Sequence, residues 1–438
     1  METSQQGRDE ALEKLYALVA NEEDARVCQD ISDSACREVP GNFVLTLFSL
    51  VLTKAGDLLT SPKTVLTWLL MMVGAPAALV AWLVPIRESG SLIPQLVIGA
   101  LVRRHPRRKL FWVLGSALQA LSVLAMALSA RYLGGMAAGL AVIAALVVFS
   151  LSRGLCSVAM KDVQGKTIPK GRRGRLTGLA SSFSGIIGVL VSAYLMFAAD
   201  EHRAATVVVM LLLAALAWTV AAILFSRVVE EPGETAGGGS AVAVAFQSLG
   251  LLKTDAPFRH FVISRALLMG SALATPFLVV LAQQHGGGLN QLGFFVLASA
   301  LASSLSATVW GFQADVSARR VMIRGGLVAS LVILLVAALT WLAPDGDWLV
   351  WATPVAAFVL AVGHAGVRVG RKTYLVDMAG GVKRTDYVAV SNTVIGVLLL
   401  LVGGISAWLA SLSPVVALLA LGVSGLLGSL YSIWLKEV

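Results

Sequence analysis

Long runs of apolar residues, separated by short polar stretches, follow one another from residue 42 to the end of the chain. Each run has about 20 residues, the length that an α-helix needs to cross roughly 30 Å of hydrocarbon. The pattern predicts an all-α membrane protein with twelve transmembrane segments, at roughly 42–60, 76–102, 110–129, 135–160, 175–199, 204–226, 257–283, 290–313, 321–343, 348–371, 387–410 and 414–435.

The composition excludes a water-soluble protein. The 438-residue chain is 57% hydrophobic and 13% charged, with a mean hydropathy of +0.82, whereas a soluble domain needs more polar surface to cover its core. A net charge of +9 is compatible with nucleic-acid binding, but the apolar fraction is not. We therefore expect a lipid bilayer around the chain and no nucleic-acid partner.

Positive charge is concentrated in alternate connections between the segments. Connections that follow odd-numbered segments contain Lys63, Arg131 and Arg203, whereas those that follow even-numbered segments contain nineteen Lys or Arg. Cytoplasmic loops carry such an excess because translocating positive charge is unfavourable. Both termini are therefore predicted to be cytoplasmic, in a plasma membrane such as the bacterial inner membrane. The basic connections are 103-RRHPRRK-109, 161-KDVQGKTIPKGRRGR-175, 315-DVSARRVMIR-324 and 368-RVGRKTYLVDMAGGVKR-384.

Three pairs of stretches repeat at nearly one spacing. The first pair is 56-GDLLTSP-62 and 270-GSALATP-276, and the second is 99-GALVRRHPRRK-109 and 311-GFQADVSARRV-321. In the third pair, Arg153 and Asp162 correspond to Arg368 and Asp377. The repeat predicts two pseudo-symmetric six-helix bundles, residues 42–226 and 257–438. A cytoplasmic segment, residues 1–41, precedes them, and a linker with a short interfacial helix, residues 227–256, joins them.

The sequence resembles the major facilitator superfamily of secondary transporters. The family's loop between its second and third helices runs Gly, three residues, Asp, Arg, two residues, then Arg and Arg or Lys. The stretch 311-GFQADVSARR-320 matches it at Gly311, Asp315, Arg319 and Arg320. The equivalent 99-GALVRRHPRRK-109 has Gly99, Arg107 and Arg108, but Arg103 stands where the family has Asp. A further likeness is 169-PKGRRGRLTG-178, which resembles the family's entry into its fifth helix. The resemblance implies a twelve-helix fold and alternating-access transport.

These loop residues are candidates for a cytoplasmic gate. Asp315 is expected to pair with Arg319 or Arg320 when the cytoplasmic side is closed, and to cap a neighbouring helix. Because Arg103 cannot accept hydrogen bonds, Asp162 is the candidate acid of the first half, and Asp377 is its counterpart in the second. The alternative is that all these charges only anchor the topology.

Charged residues within the apolar segments are the strongest indication of function, because buried charge in hydrocarbon is costly. Lys54 and Asp57 share one face of segment 1, and Arg87 and Glu88 lie at similar depth in segment 2. We interpret the four as a proton switch in which Asp57 changes protonation, and Glu88 is the fixed partner of Lys54 or Arg87. The alternative is a permanent structural salt bridge.

A second group of charges is basic. Arg265, His364, Arg368 and Arg153 lie within predicted segments, and Ser91 and Gln95 share a stripe with Arg87. An excess of fixed positive charge along the path favours a substrate with a carboxylate, phosphate or sulfonate group. The alternative for the arginines is snorkelling toward the headgroups.

Together these features predict a monomeric, proton-coupled secondary transporter of a small anionic or zwitterionic organic solute. Alternatives are efflux of amphipathic drugs or lipids, and a non-transporting receptor or assembly factor with the same fold. No nucleophile–base pair, nucleotide-binding motif or clustered metal ligands appear in the sequence, so neither an enzyme, nor a cofactor, nor a metal site is predicted.

Overall fold

The computed structural model describes residues 33–233, 235, 249–344, 346–378 and 383–438, and the secondary structure in these ranges is helical. Most of the predicted cytoplasmic segment lies outside the described residues. So does the central part of the linker, including most of its predicted interfacial helix, although Leu251–Thr254 forms a short helix. A short helix, Asp33–Arg37, precedes the first long one.

The first bundle contains six transmembrane helices, of which the first two are each divided into two parts. Helix 1 comprises Val39–Leu59 and Val65–Met72, helix 2 Ala77–Leu92 and Gln95–Arg103, helix 3 Lys109–Tyr132, helix 4 Gly135–Thr167, helix 5 Lys170–Phe197 and helix 6 Arg203–Ser226. The division of helix 2 falls at Pro94, which has no backbone N–H to donate to the preceding turn.

The second bundle repeats this arrangement. Its first helix is interrupted near Leu268 and Ala274, as helix 1 is near Thr60. Helix 7 comprises Ala256–Leu267, Gly270–Leu273 and Thr275–Gln284, helix 8 Leu289–Val316, helix 9 Ala318–Leu342, helix 10 Leu349–Met378, helix 11 Lys383–Leu412 and helix 12 Pro414–Tyr431. The protein is thus an all-α, multi-pass membrane protein of two six-helix bundles.

Eleven helices of the described chain are long and apolar enough to cross a membrane. Helix 2 is not among them, because its break leaves parts of 16 and 9 residues. The predicted end of segment 1 at residue 60 matches the end of the first part of helix 1 at Leu59, but the second part, Val65–Met72, was not predicted. Lys63 therefore lies in the break of a transmembrane helix and not in an external loop.

The two bundles pack against each other through helices 2 and 11 and through helices 5 and 8. Glycines allow close approach between helices 2 and 11, since a Cβ atom at Gly403 would lie 2.5 Å from Pro85 and one at Gly396 2.7 Å from Ile93. The hydroxyl of Ser89 donates a hydrogen bond to the Gly396 carbonyl, at 2.7 Å.

The bundles also meet at one end of the molecule, which we call the opposite side because it lies away from the basic connections. The second part of helix 1 packs there against the last part of helix 7. Gln283 Nε2 donates to the Trp68 carbonyl at 3.4 Å, and the amide of Leu289 donates to Asp200 Oδ1 at 2.7 Å. One hydrophobic cluster, which includes Leu69 and Phe277, spans both bundles.

At the other end, the basic side, the hydrophobic clusters are each confined to one bundle. Phe43 and Leu176 belong to a cluster of the first bundle, and Phe258 and Tyr374 to a cluster of the second. Hydrophobic packing therefore joins the bundles on the opposite side and, among the described residues, not on the basic side.

Candidate functional site

A three-residue ion-pair group lies inside the first bundle, on helices 1, 2 and 4. Asp57 Oδ1 is 3.0 Å from Arg87 Nη2, and Asp57 Oδ2 is 2.5 Å from Arg153 Nη2. The Arg87 guanidinium also lies over the Phe149 ring, 4.9 Å from its centre. One carboxylate, that of Asp57, therefore joins helices 1, 2 and 4.

The other two members of the predicted switch are placed differently. Lys54 donates to the Ser181 hydroxyl at 2.8 Å, across to helix 5. Glu88 is exposed and forms no ion pair with the described residues. The predicted partnership of Glu88 with Lys54 or Arg87 is not found as an ion pair among the described residues, although Glu88 lies within electrostatic range of Arg87. Glu88 also interacts electrostatically with Arg265 and Arg371 of the second bundle.

Arg265 on helix 7 is held without a carboxylate. Its side chain donates to the Ser391 hydroxyl at 2.6 Å and to Asn392 Oδ1 at 3.1 Å, both on helix 11. The residue is only 7% exposed, and its Nε is buried without a hydrogen-bond partner. In the described part of the chain no acid forms an ion pair with it, so this buried charge is available to a ligand anion.

Further cations surround Arg265 and Glu88. His364 accepts or donates a hydrogen bond with Ser271 at 3.1 Å and lies within electrostatic range of Arg368 and Lys63. Lys372, which follows Arg371 on helix 10, adds another positive charge within range of Arg265. Four Lys and Arg side chains lie within electrostatic range of the Glu88 carboxylate, namely Lys63, Arg87, Arg265 and Arg371.

The two polar residues predicted beside Arg87 are less clearly placed. Ser91 donates to the Glu88 carbonyl at 2.8 Å, and its backbone packs against Gly154 of helix 4. Gln95 is partly buried at the start of the second part of helix 2. Within the described part of the chain, neither makes a hydrogen bond to the charged side chains of this site.

On the basic side of the first bundle, one buried acid organises the loop between helices 2 and 3. Glu230 follows helix 6, and its side chain is 0% exposed. Its carboxylate accepts from the amides of Arg108 and Lys109, at 3.0 and 2.7 Å, and pairs with Lys166 at 2.8 Å. It therefore caps the N-terminus of helix 3.

Asp162, the predicted acid of this loop, lies 3.4 Å from Arg108. Arg107 is exposed, and a Cβ atom at Gly99 would meet nothing within 4 Å. Arg103 ends helix 2, and its side chain lies outside the described part of the structure.

In the second bundle, the loop between helices 8 and 9 contacts the acid that follows helix 12. Arg319 pairs with Glu437, at 2.6 Å, and Ser317 both donates to Glu437 and caps the amide of Arg320. Asp315 is exposed and forms no ion pair with the described residues. Its pairing with Arg319 or Arg320 was predicted for the conformation closed on the cytoplasmic side, so that pairing stays a prediction. Among the described residues Asp377 forms no ion pair either, and a Cβ atom at Gly311 would meet nothing within 4 Å.

Comparison with solved structures identifies the architecture. A POT family transporter in complex with a thioalcohol-conjugated peptide has a TM-score of 0.66 and 11% sequence identity, over 89% of this chain and 94% of that one. The xylose transporter XylE from E. coli, in an inward open conformation, has a TM-score of 0.61 and 12% identity, over 91% and 96%. The nucleoside transporter NupG has a TM-score of 0.62 and 11% identity, over 91% and 97%. The chain has the major facilitator fold. No protein-family profile and no curated protein sequence matches it.

In the major facilitator fold of this chain, sequence reasoning missed two kinds of residue. Lys63, Glu230 and Glu437 lie in a helix break or beyond a helix end, where a run of apolar residues does not define depth. Ser391 and Asn392 lie within helix 11 and are uncharged, so a search for buried charge did not select them. One indication was present, since Glu230 and Glu437 each follow the last helix of a bundle.

Proposed function

We propose that the protein is a secondary transporter that moves a small organic anion across a membrane by alternating access. The major facilitator fold and the hydrophobic packing that, among the described residues, joins the bundles on one side only support this proposal. The excess of Lys and Arg in the loops of the basic side supports a cytoplasmic location for that side and for both termini. The conformation is then open to the cytoplasm and closed to the outside.

The buried guanidinium of Arg265 is the main observation in support of an anionic substrate. Its hydrogen-bond partners Ser391 and Asn392 are neutral. Glu88 lies within electrostatic range but forms no ion pair with it among the described residues, and a buried cation without a paired carboxylate is unfavourable. The surrounding cations, Arg368 and Arg371 among them, increase the attraction for a negative ligand. A carboxylate or phosphate bound to Arg265 would compensate the charge and accept two parallel hydrogen bonds.

Uptake into proteoliposomes tests this proposal. Thermal melting of the purified protein with a panel of carboxylates, phosphates, sugars and amines identifies a ligand, and uptake of that ligand is then measured. Arg265→Gln should weaken anion binding at least tenfold, because a charge-assisted hydrogen bond contributes about 1.5–3 kcal/mol. Arg131→Gln, at the end of helix 3 on the opposite side, is the matched control. Stabilisation by sugars or amines alone, or unchanged anion affinity in Arg265→Gln, would contradict the proposal.

We also propose that uptake is coupled to protons and that Glu88 is the coupling carboxylate. Glu88 lacks an ion-pair partner among the described residues and faces the cations of the second bundle, whereas Asp57 is held by two arginines. An anion bound near Arg265 would compete with the Glu88 carboxylate for the cations of helices 7 and 10. Glu88→Gln should therefore abolish uptake driven by a proton gradient and preserve exchange of substrate between the two sides. Gradient-driven uptake at the wild-type rate in this variant would exclude Glu88.

A further inference from the structure

A separate cavity lies within the first bundle, between helices 1, 3, 4 and 5. Its volume is about 270 Å³. Helix 4 contributes Arg153, Cys156, Met160 and Gln164, whose spacing of three or four residues places them on one helix face. Arg265 and the other cations of the second bundle are not among the lining residues. The cavity lining therefore belongs to the first bundle, whereas Arg265 lies on helix 7 of the second.

Three cations give the cavity a positive wall. Lys54, Arg153 and Lys161 all line it. Lys54 donates to Ser181, and Arg153 pairs with Asp57. Lys161 is exposed and forms no ion pair with the residues that the structure describes. The cavity lining itself contains no Asp or Glu, so its fixed charge attracts anions.

One neutral polar residue in the lining has an unmet hydrogen-bonding requirement. Gln119 on helix 3 is fully buried, and its Nε2 donates to the Gly115 carbonyl and to Cys156 Sγ, each at 3.2 Å. Its Oε1 is buried and accepts no hydrogen bond in the described structure. An unsatisfied buried acceptor costs about 1–3 kcal/mol, so a ligand that donates to Oε1 would gain affinity.

We infer that this cavity binds a small organic anion that carries a hydroxyl group, with the anionic group beside Lys54, Arg153 and Lys161 and the hydroxyl donating to Gln119 Oε1. A hydroxyl is the favoured donor because the three cations repel an ammonium group. Carboxylate and phosphate share the required chemistry. The inference rests on the proposed function, because it names the class of anion that the transporter would bind.

Two matched pairs of ligands test the inference by calorimetric titration of the purified full-length protein. Malate and succinate differ by one hydroxyl, and glycerol 2-phosphate and isopropyl phosphate share a carbon skeleton but differ by two. The hydroxylated member of at least one pair should bind about tenfold more tightly, which corresponds to about 1.4 kcal/mol. Gln119→Met, of similar size, should remove this preference and leave the affinity of the other member within twofold. Ser122→Ala, on the same helix but outside the cavity lining, should keep the preference.

Equal affinities within both pairs, a preference that persists in Gln119→Met, or failure of all four compounds to bind would each overturn the inference. Equal affinities within both pairs for the wild-type protein would refute the inference even if Gln119→Met does not fold. The same experiments distinguish failure of this inference from failure of the proposed function. A Gln119-dependent preference without uptake into liposomes would refute transport alone, whereas uptake of an anion together with equal affinities within both ligand pairs would refute this inference alone.

Discussion

Replacement of Asp57 by Asn should destabilise the protein more than replacement of either arginine that it binds. The carboxylate joins two ion pairs, so Asp57→Asn leaves Arg87 and Arg153 without a counter-charge. Removal of one partner from a buried pair costs roughly 3–5 kcal/mol. Side-chain exposures of 15–31% in this group allow some solvation, so we expect about 3 kcal/mol.

Arg87→Gln should cost less, because Asp57 keeps its contact with Arg153 in that variant. The loss is then one charge-assisted hydrogen bond, about 1.5 kcal/mol. Neutralising Lys54 should not rescue Asp57→Asn, since Lys54 bonds to Ser181 and not to the carboxylate. The free energy of unfolding is measured by denaturant titration of the purified protein in micelles.

Asp315→Asn is the control for a change of charge without loss of an ion pair, because Asp315 is exposed and unpaired in the described structure. We expect it to change the free energy of unfolding by less than about 0.5 kcal/mol. If Arg87→Gln proves as costly as Asp57→Asn, or if Lys54→Gln restores the stability of Asp57→Asn, the shared-carboxylate description is refuted.

Three further predictions concern the two ends of the molecule. Glu230→Gln should lower the unfolding free energy by about 2 kcal/mol, because it weakens a buried helix cap and an ion pair together, whereas unchanged melting would show that the cap is dispensable. Asp200→Asn should weaken closure of the opposite side, because the Asp200 carboxylate accepts a hydrogen bond from the Leu289 amide across the two bundles. A cysteine at position 72 should then react faster with a thiol reagent. Equal or slower labelling would show that this contact does not hold the opposite side closed. Single cysteines replacing His105 and His202 should react with an impermeant thiol reagent from the cytoplasm and from outside, respectively, and labelling of position 105 in intact cells would reverse the topology.

The number and order of the helices could be predicted from the sequence because hydrocarbon thickness fixes the length of an apolar run. The depth of Asp57 and Arg87 in the membrane could likewise be estimated, from the number of residues between each of them and the end of its apolar run. Their partners could not, because helix rotation and tilt decide which side chains meet, and Arg153 on helix 4 therefore appeared unrelated to them. Lys63 was misplaced because 60-TSPK-63 resembles the polar end of a helix, whereas the structure continues the span after it.

The acids of the basic side show a second limit. The family pattern drew attention to Asp315, but in this conformation Glu437 binds Arg319. A sequence motif names residues that interact in some state of a transporter, and a single conformation contains only part of those contacts. Glu230 and Glu437 lie just beyond the apolar runs, where hydropathy gives no indication of a buried carboxylate.

The glycine-rich contact between helices 2 and 11 determines where the barrier to conformational exchange should lie. This interface joins Gly396 and Gly403 to apolar side chains of helix 2, with the Ser89 hydrogen bond as its polar contact in the described structure. An apolar surface of this kind has few directional partners to exchange, so rotation along it changes the free energy little. The contacts made by Asp200 and Gln283 must break completely when the opposite side opens. The rate at which the protein changes between its two conformations should therefore depend mainly on the contacts at the closed end of the molecule. The bundles would rotate about the interface between helices 2 and 11 with little change in free energy.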